Sequence, residues 1–196
     1  TDLPAQARDY LALAKDSADH LLSIINDILD LSKVESGKLE LECRPFDFPA
    51  VLDAVCRPLS VTAWKKGVDL SCAIDPAAPS SLVGDQGRLK QILTNVVGNA
   101  VKFTEKGSVT LRVTRAESQA PEGRCALSFQ VIDTGRGIPQ EEQERIFESF
   151  EQGTGVRNTG DLQETGVGLG LAIARAIARR FGGANLAQQD LDLVWC

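Results

Sequence analysis

Methionine is missing from this 196-residue chain, histidine and tyrosine occur once each, and aromatic side chains make up only 5% of it. Without methionine, Thr1 is no natural start, and the sequence reads as an excerpt of something longer. No apolar run approaches the roughly 20 residues that a membrane span needs, and no signal peptide opens the chain. Membrane contact by this stretch is therefore not expected. Basic residues are not in excess either, with 21 Lys and Arg against 27 Asp and Glu, so the electrostatic footprint of a nucleic-acid binder is lacking. The five cysteines, Cys43, Cys56, Cys72, Cys125 and Cys196, are scattered, odd in number and free of Cys-x-x-Cys spacing. That pattern argues for reduced, mostly buried thiols in a cytoplasmic protein over disulfides or zinc. What remains is an ordinary soluble composition, 43% hydrophobic and 24% charged, long enough for one good core and an appendage.

The appendage comes first. From Pro4 to about Gly37, Leu11, Ala14, Ala18, Leu21, Ile25, Ile28 and Ser32 alternate three and four apart, a heptad seam widened by Leu22 and Leu29. A helix this long and one-sided wants a partner helix, from its own chain or another. Proline suits its first turn and Gly37 its C-terminal end. His20 precedes the seam residue Leu21 and points outward; it reads as a solvated surface histidine or as a nucleophile.

From Lys38 onward the periods change. Lys38–Cys43 alternates apolar and charged like a half-buried strand. Phe48–Trp64 reads as a helix with Val51, Leu52, Val55, Leu59 and Trp64 on its core face and a kink at Pro58. Strands are expected at Val68–Ile74, Ser108–Thr114 and Cys125–Ile132, with a polar hairpin connection over Ala116–Gly123. Between the first two lies a helix opened by the N-cap Asp85 and ending near Glu105-Lys106-Gly107. Its apolar stripe is Leu89, Ile92, Leu93, Val96 and Ala100. Gln91, Asn95, Asn99 and Lys102 form a polar strip beside it, since positions three and four apart are helix neighbours. Two readings fit that strip. Asn oxygens are hard ligands for Mg²⁺ and Lys102 is a point charge for phosphate, or the strip is the solvated edge of an ordinary amphipathic helix.

Three further stretches carry chemistry. Asp133-Thr-Gly-Arg-Gly-Ile-Pro139 sets a carboxylate at a strand end before Gly135 and Gly137, where backbone can approach a flat ligand. A buried Asp there accepts from the exocyclic amine of adenine; a plain turn is the competing reading. Pro139 then begins a short helix over Gln140–Phe147, followed by Phe147-Glu-Ser-Phe150, a pair of phenylalanines that belongs to a core or anchors what comes next. Glu151–Thr165 is long and poor in apolar anchors, a lid or a disordered loop. Gly166-Val-Gly168-Leu-Gly170-Leu171 opens a helix over Ala172–Phe181, presenting N–H groups and a positive dipole end to phosphate. It is neither the dinucleotide fingerprint, because Ile173 stands at the third glycine position, nor a P-loop.

Taken in this order, the motifs resemble the ATP-binding catalytic domain of a sensor histidine kinase with its second dimerisation helix attached. Asn95–Thr104 resembles the family's N box, Asp133–Ile138 its first glycine box, Phe147–Phe150 its F box, and Gly166–Leu171, with Leu169 inside it, its second. Ile25–Lys38 is similar to the junction found in hybrid sensor kinases. The resemblance implies an α/β fold, a two-layer sandwich of mixed β-sheet and helices (the Bergerat or GHKL fold) preceded by a long coiled-coil-type helix. It divides the chain into a dimerisation helix, 1–37, lacking its first partner helix, and a catalytic domain, 38–196. It implies ATP and Mg²⁺ as cofactors, Asn99 as the metal ligand, Asn95 on the same strip and Lys102 at the phosphates. Phe103 lies beside adenine and Asp133 takes its amine, while Gly135, Gly137, Gly166, Gly168 and Gly170 shape the pocket, with Ile138 and Leu169 in its boxes.

The partners implied are a second copy through the dimerisation helices and a response regulator or receiver domain, for a cytoplasmic domain whose full-length protein is compatible with a membrane anchor. Related ATP hydrolases place a water-activating glutamate where Asn95 stands, and a carboxamide is no general base. Positioned transfer to a side chain is the chemistry that remains. Three departures stand beside the resemblance. His20 lacks the His-Glu/Asp-x-Arg-Thr-Pro context of a phosphoacceptor, so the acceptor is expected outside this sequence. Val167 replaces a frequent Thr or Ser. Gly183–Cys196 is short for the closing hairpin; either Ala184–Gln188 and Leu191–Trp195 pair around Gln189-Asp190, or the stretch is a truncated edge. The alternative function is a degenerate nucleotide module acting by regulatory hetero-association.

Overall fold

The computed structural model describes residues 4–116, 125–143, 145–150, 168–181 and 190–195. Two compact units appear, Thr1–Leu39 and Glu40–Cys196. The first is essentially one helix, α1 (Ala5–Glu35), which starts after Pro4. Its end follows from Gly37, which adopts φ 69°. The Gly37 N–H reaches the Val34 carbonyl and the Lys38 N–H that of Lys33, so a Schellman closure satisfies two terminal carbonyls. Leu11, Leu21, Leu22, Ile25, Ile28 and Leu29, the seam expected to want a partner, are exposed. The His20 side chain lies outside the described set. Among the described residues no helix is long and apolar enough to cross a membrane.

The second unit builds a mixed sheet from β2 (Val68–Ile74), β4 (Gly107–Arg115), β5 (Cys125–Asp133) and β6 (Asp190–Trp195), ordered β2-β4-β5-β6. The β2–β4 pairing is parallel and the other two are antiparallel. A separate two-stranded ribbon pairs β1 (Arg44–Asp47) with β3 (Ser81–Gly84). Helices α2 (Phe48–Lys66) and α3 (Gln86–Phe103) cover one face of the sheet, and α4 (Gly170–Arg180) packs on α3. Alternation along β4 and β5 sends Val109, Leu111, Val113, Leu127, Phe129 and Val131 into the core. They meet Phe48, Leu52, Leu89, Ile92 and Leu93 from the helices, with the rings of Phe48 and Phe129 edge to face at 6.0 Å. This is the two-layer α/β arrangement expected.

Several local expectations change. No strand forms at the expected Lys38–Cys43; the strand is Arg44–Asp47 instead, because a ladder needs a partner. Arg44–Asp47 faces the short β3 with Phe46 opposite Leu82, both buried. Upstream, the Glu42 N–H bonds the Asp85 carboxylate instead. Trp64 is 80% exposed, since the smaller Ala63 takes the buried position at the end of α2. Helix α3 stops at Phe103, short of Gly107, and its apolar face turns so that Val97 and Val101 are buried while Val96 is half-buried. Within the expected helix Gln140–Phe147, Gln140–Gln143 forms turns and Arg145–Phe147 a 3₁₀ turn. Gln140–Gln143 offers no apolar face to bury, and the Gln143 amide caps the Ile138 carbonyl. The thiols are less buried than expected, with Cys43 and Cys72 exposed and Cys56 and Cys125 half-buried. The connection at Ala116–Gly123 falls, apart from Ala116, outside the described residues, as do Glu151–Thr165 and Ala184–Gln188. Leu191–Trp195 is a strand, paired to β5.

Candidate functional site

The site assembles around the C-terminal half of α3. Asp85 starts this helix by accepting from the Arg88 N–H at 2.9 Å. The polar strip then runs up one side, with Gln91, Asn95, Asn99 and Lys102 all half-buried. Each side chain has its own surroundings. Gln91 accepts from the Arg88 guanidinium at 2.7 Å. The Asn95 amide donates to the Gly170 carbonyl at 3.0 Å. The Asn99 carboxamide has no hydrogen-bond partner among the described residues. Lys102 holds its ammonium 5.2 Å from the centre of the Phe103 ring.

The helix ends sharply because its last carbonyls are satisfied from outside. Thr104, fully buried, turns to extended backbone, and its hydroxyl donates to the Ala100 carbonyl at 2.7 Å. Lys66, at the end of α2, donates to the carbonyls of Val101 at 3.0 Å and Lys102 at 2.6 Å. A cation there also opposes the negative end of the helix dipole. Sequence reading passed over Lys66, whose only visible signal was an ordinary basic pair before Gly67.

The first glycine turn is built against this end. Asp133 closes β5, half-buried, and its Oδ1 accepts from the Gly135 N–H at 2.8 Å. A Cβ on Gly135 would lie 2.8 Å from both that oxygen and the Phe103 carbonyl, so only glycine lets the turn approach α3. Gly137 takes φ 68°, Ile138 is exposed, and Arg136 brings its guanidinium 5.2 Å from the Phe103 ring. Arg136 was not singled out from sequence, where it reads as a spacer between two glycines. Thr134 secures the turn from behind by accepting from the Ser108 N–H at 3.0 Å.

The second glycine turn arrives from the other side. A Cβ on Gly170 would sit 3.3 Å from the Asn95 carboxamide carbon, so α4 begins in close contact with α3. Leu169 is buried at the α4 N-cap, and Gly168, at φ 78°, accepts from the Phe150 N–H at 3.1 Å. The Phe-x-x-Phe segment is therefore an anchor for this turn more than a core pair. Phe150 is 61% exposed, and Phe147 is half-buried under the Arg175 guanidinium at 5.5 Å. Burial and neighbouring Arg179 pull Arg175 below the usual guanidinium value, partly opposed by Glu148. Gly166 and Val167 lie outside the described residues. Asn95, Asn99, Lys102, Phe103, Asp133, Gly135, Gly137, Gly168 and Gly170 thus share one neighbourhood. Among the described residues no cluster of three His, Cys, Asp or Glu could hold a metal ion, and the carboxamide oxygens of the strip that no described hydrogen bond occupies are those of Asn99 and of Asn95, whose amide nitrogen is held by Gly170.

Comparison with known proteins bears on this arrangement. Residues 84–192 match the family described as histidine kinase-, DNA gyrase B-, and HSP90-like ATPase, and residues 1–37 match the His Kinase A (phospho-acceptor) domain. Signal transduction histidine-protein kinase BarA of Escherichia coli is 41% identical over 184 residues, 93% of this chain and 19% of that protein. Sensor histidine kinase GacS of Pseudomonas protegens is 39% identical over 183 residues, again 93% of this chain and 19% of the relative. The chain thus spans about a fifth of the length of the curated relatives it matches. Among solved structures, full-length ShkA in complex with AMPPNP superposes with a TM-score of 0.72 at 35% identity, covering 100% of this chain and 39% of that one. The Acinetobacter baumannii histidine kinase AdeS shares the fold, with a TM-score of 0.63 at 20% identity over 100% of this chain and 85% of that one.

Proposed function

This chain belongs to the histidine kinase-, DNA gyrase B- and HSP90-like ATPases, on the histidine kinase side, and we propose from that premise that its 40–196 unit binds Mg·ATP for phosphoryl transfer to a histidine. The observation that carries the reading is the convergence of two glycine turns on one helix. Gly135 seats against the Phe103 carbonyl and Gly170 against Asn95, with the carboxamide of Asn99, unpartnered among the described residues, on the same strip.

Within this reading Asp133 accepts the exocyclic amine of adenine, and Phe103 lies beside the base. Lys102 and Arg136, both gathered at the Phe103 ring, place positive charge for the phosphate chain. Gly137, Ile138, Gly166, Gly168 and Leu169 belong to the walls and lid of the pocket, and Gly170 to its floor. Asn99 fits Mg²⁺, because a neutral hard oxygen suits an ion that retains waters and shares phosphate oxygens. When bound, that ion neutralises charge developing between the β- and γ-phosphates. Asn95 is held by Gly170 and carries no basic atom, so nothing at this position draws a proton from water. Transfer then rests on positioning an attacking imidazole nitrogen in line with the γ-phosphorus, with the ADP oxygen leaving.

His20 sits outside the sequence context of an acceptor, so the imidazole is supplied by another helix. The exposed seam of α1, within the stretch that matches the phospho-acceptor domain, suits a homodimer that would present it. A receiver domain or response regulator in the cytoplasm is the next carrier of the phosphoryl group. No observation favours the degenerate-module alternative. The test is to add a helical fragment bearing an acceptor histidine in its Arg-Thr-Pro context together with labelled ATP. Acid-labile, base-stable label on the fragment is the expected result. An acceptor that another kinase labels but this chain does not would overturn the reading.

A further inference from the structure

Strand β2 is the outermost strand of its sheet among the described residues, with β4 its neighbour on the inner side. A parallel ladder takes up the N–H and C=O groups of alternate residues. The Asp75 N–H reaches the Val113 carbonyl at 2.8 Å, just beyond the pairing of Ile74 with Val113. Asp69, Ser71 and Ala73 share the parity of Asp75 and bond β4. Val68, Leu70, Cys72 and Ile74 therefore turn their backbone groups outward, and no described backbone takes them up.

An open edge is a template for another strand, and native proteins blunt one with lysine, proline, a bulge or a covering element. Val68–Ile74 contains neither lysine nor proline, and its unbroken register with β4 has no bulge. Asp69 is its one charge. Cys72, Ala73 and Ile74 are exposed. Val61 and Trp64 add exposed apolar surface to α2, the helix that packs on this strand.

The strand is complementary to a second copy of itself. Run antiparallel about Ser71, its sequence sets Val68 opposite Ile74 and Leu70 opposite Cys72. All of these residues face outward, so each pair exchanges two N–H···O bonds. Their side chains share the face on which Leu111, in register with Cys72, is fully buried. Apolar thus meets apolar on the side of the helices. On the other face Ser71 meets Ser71, Asp69 meets Ala73, and Asp75 meets Gly67 just beyond the strand, with no like charges opposed. Centring the pair on Cys72 instead would set Asp69 against Asp75, which is unfavourable. Centring it on Leu70 or Ala73 would shorten the ladder.

We propose that β2 is a homotypic docking edge, on which β2 of a second copy of this chain pairs antiparallel about a two-fold axis at Ser71 to form one continuous sheet. The contact is isologous, the same patch on both copies, and so closes at two. It uses no residue of the α1 seam or of the glycine turns and is independent of the nucleotide reading.

The test follows hydrogen exchange of the full chain, amide by amide, from dilute to concentrated solution. The N–H groups of Leu70, Cys72 and Ile74 should exchange freely when dilute and slow several-fold on concentration. Those of Asp69, Ser71 and Ala73 should stay protected by β4 throughout. Association through α1 alone leaves this pattern unchanged. Ser71→Lys opposes two ammonium groups at the axis and should abolish the concentration dependence without altering circular dichroism. Should it fail to fold, the exchange pattern of the unsubstituted chain decides. Under mild oxidation Ser71→Cys should link to itself through the introduced thiols, whereas Ala73→Cys should link to Asp69→Cys in a mixture and not to itself. Outward amides that exchange at one rate at every concentration overturn the proposal, whether fast because the edge stays free or slow because the chain covers it. A link from Cys72 to Cys72, or from Ala73→Cys to itself, in place of the Ser71→Cys link also overturns it, because the register would then be another.

Discussion

Helices α1 and α3 carry the same kind of apolar stripe and meet different fates. On α3, Leu89, Ile92, Leu93 and Val97 are at most 1% exposed, covered by α2, α4 and the sheet. On α1, Leu11, Leu21, Leu22, Ile25, Ile28 and Leu29 remain open to solvent. Periodicity tells which residues share a face; it does not tell what lies against that face. An α3-type stripe contributes its hydrophobic free energy on folding of the chain itself, whereas an α1-type stripe can contribute only on association.

The comparison can be broken most directly by truncating one residue on each helix. Leu89→Ala should cost about 2–5 kcal/mol in urea unfolding, because it leaves a cavity in a closed core. Ile25→Ala should alter the stability of the single chain by no more than about 0.5 kcal/mol while weakening any self-association seen by ultracentrifugation. Equal costs, with no change in association, would show that the two stripes do not differ.

A second contrast lies between glycines close to α3. Gly135→Ala forces a methyl group against the Phe103 carbonyl and should cost about 1–3 kcal/mol. Gly98→Ala meets nothing closer than a Leu59 methyl at 3.9 Å. It should therefore be neutral, or stabilising by up to about 1 kcal/mol from helix propensity. Thermal unfolding of the two variants separates close approach from mere glycine content.

Smaller again is the helix cap. Lys66→Ala removes two charge-assisted hydrogen bonds from the end of α3 and should cost about 1–2 kcal/mol. Protection from hydrogen exchange should fall at the last turn of α3 first, and uniform loss along the helix would contradict the capping role.

The smallest effect belongs to α1. Burial, and then the Asp30 carboxylate, raise Asp27 above its usual value of 3.8. A carboxyl raised in the folded state contributes stability that is complete below the unfolded value and fades as pH rises through the folded one. Asp27→Asn should therefore flatten the pH dependence of α1 helicity above pH 3.8 and strengthen the helix modestly at neutral pH. Circular dichroism that shows an unchanged pH profile would count against it.

Much of this was legible before any coordinates. The strand at Val68–Ile74, the N-cap at Asp85 and the glycine end of α1 follow from local chemistry that neighbours reinforce. Other features answer to partners that the sequence does not mark. Strand β1 sits where β3 can pair with it, and β3 itself, only Ser81–Gly84 long, is too short to declare a period. Trp64 looked like core by type and lost its place to Ala63. At the site, the motifs marked Asn95, Asn99 and Asp133 as a group. Only the packing separates an asparagine tied to Gly170 from one without a partner among the described residues, and only the packing brings Lys66 and Arg136 to the end of α3.

The separation of those two asparagines is where the functional account is most exposed. Isothermal titration with a non-hydrolysable ATP analogue, with and without Mg²⁺, should be run on the unsubstituted chain, Asp133→Asn, Asn99→Ala and Asn95→Ala. The account predicts micromolar to low-millimolar binding that Asp133→Asn abolishes. Asn99→Ala should remove only the Mg²⁺-dependent gain, and Asn95→Ala should loosen the start of α4. A folded chain that binds no nucleotide, or an Asn99→Ala variant with its full magnesium dependence, would contradict it.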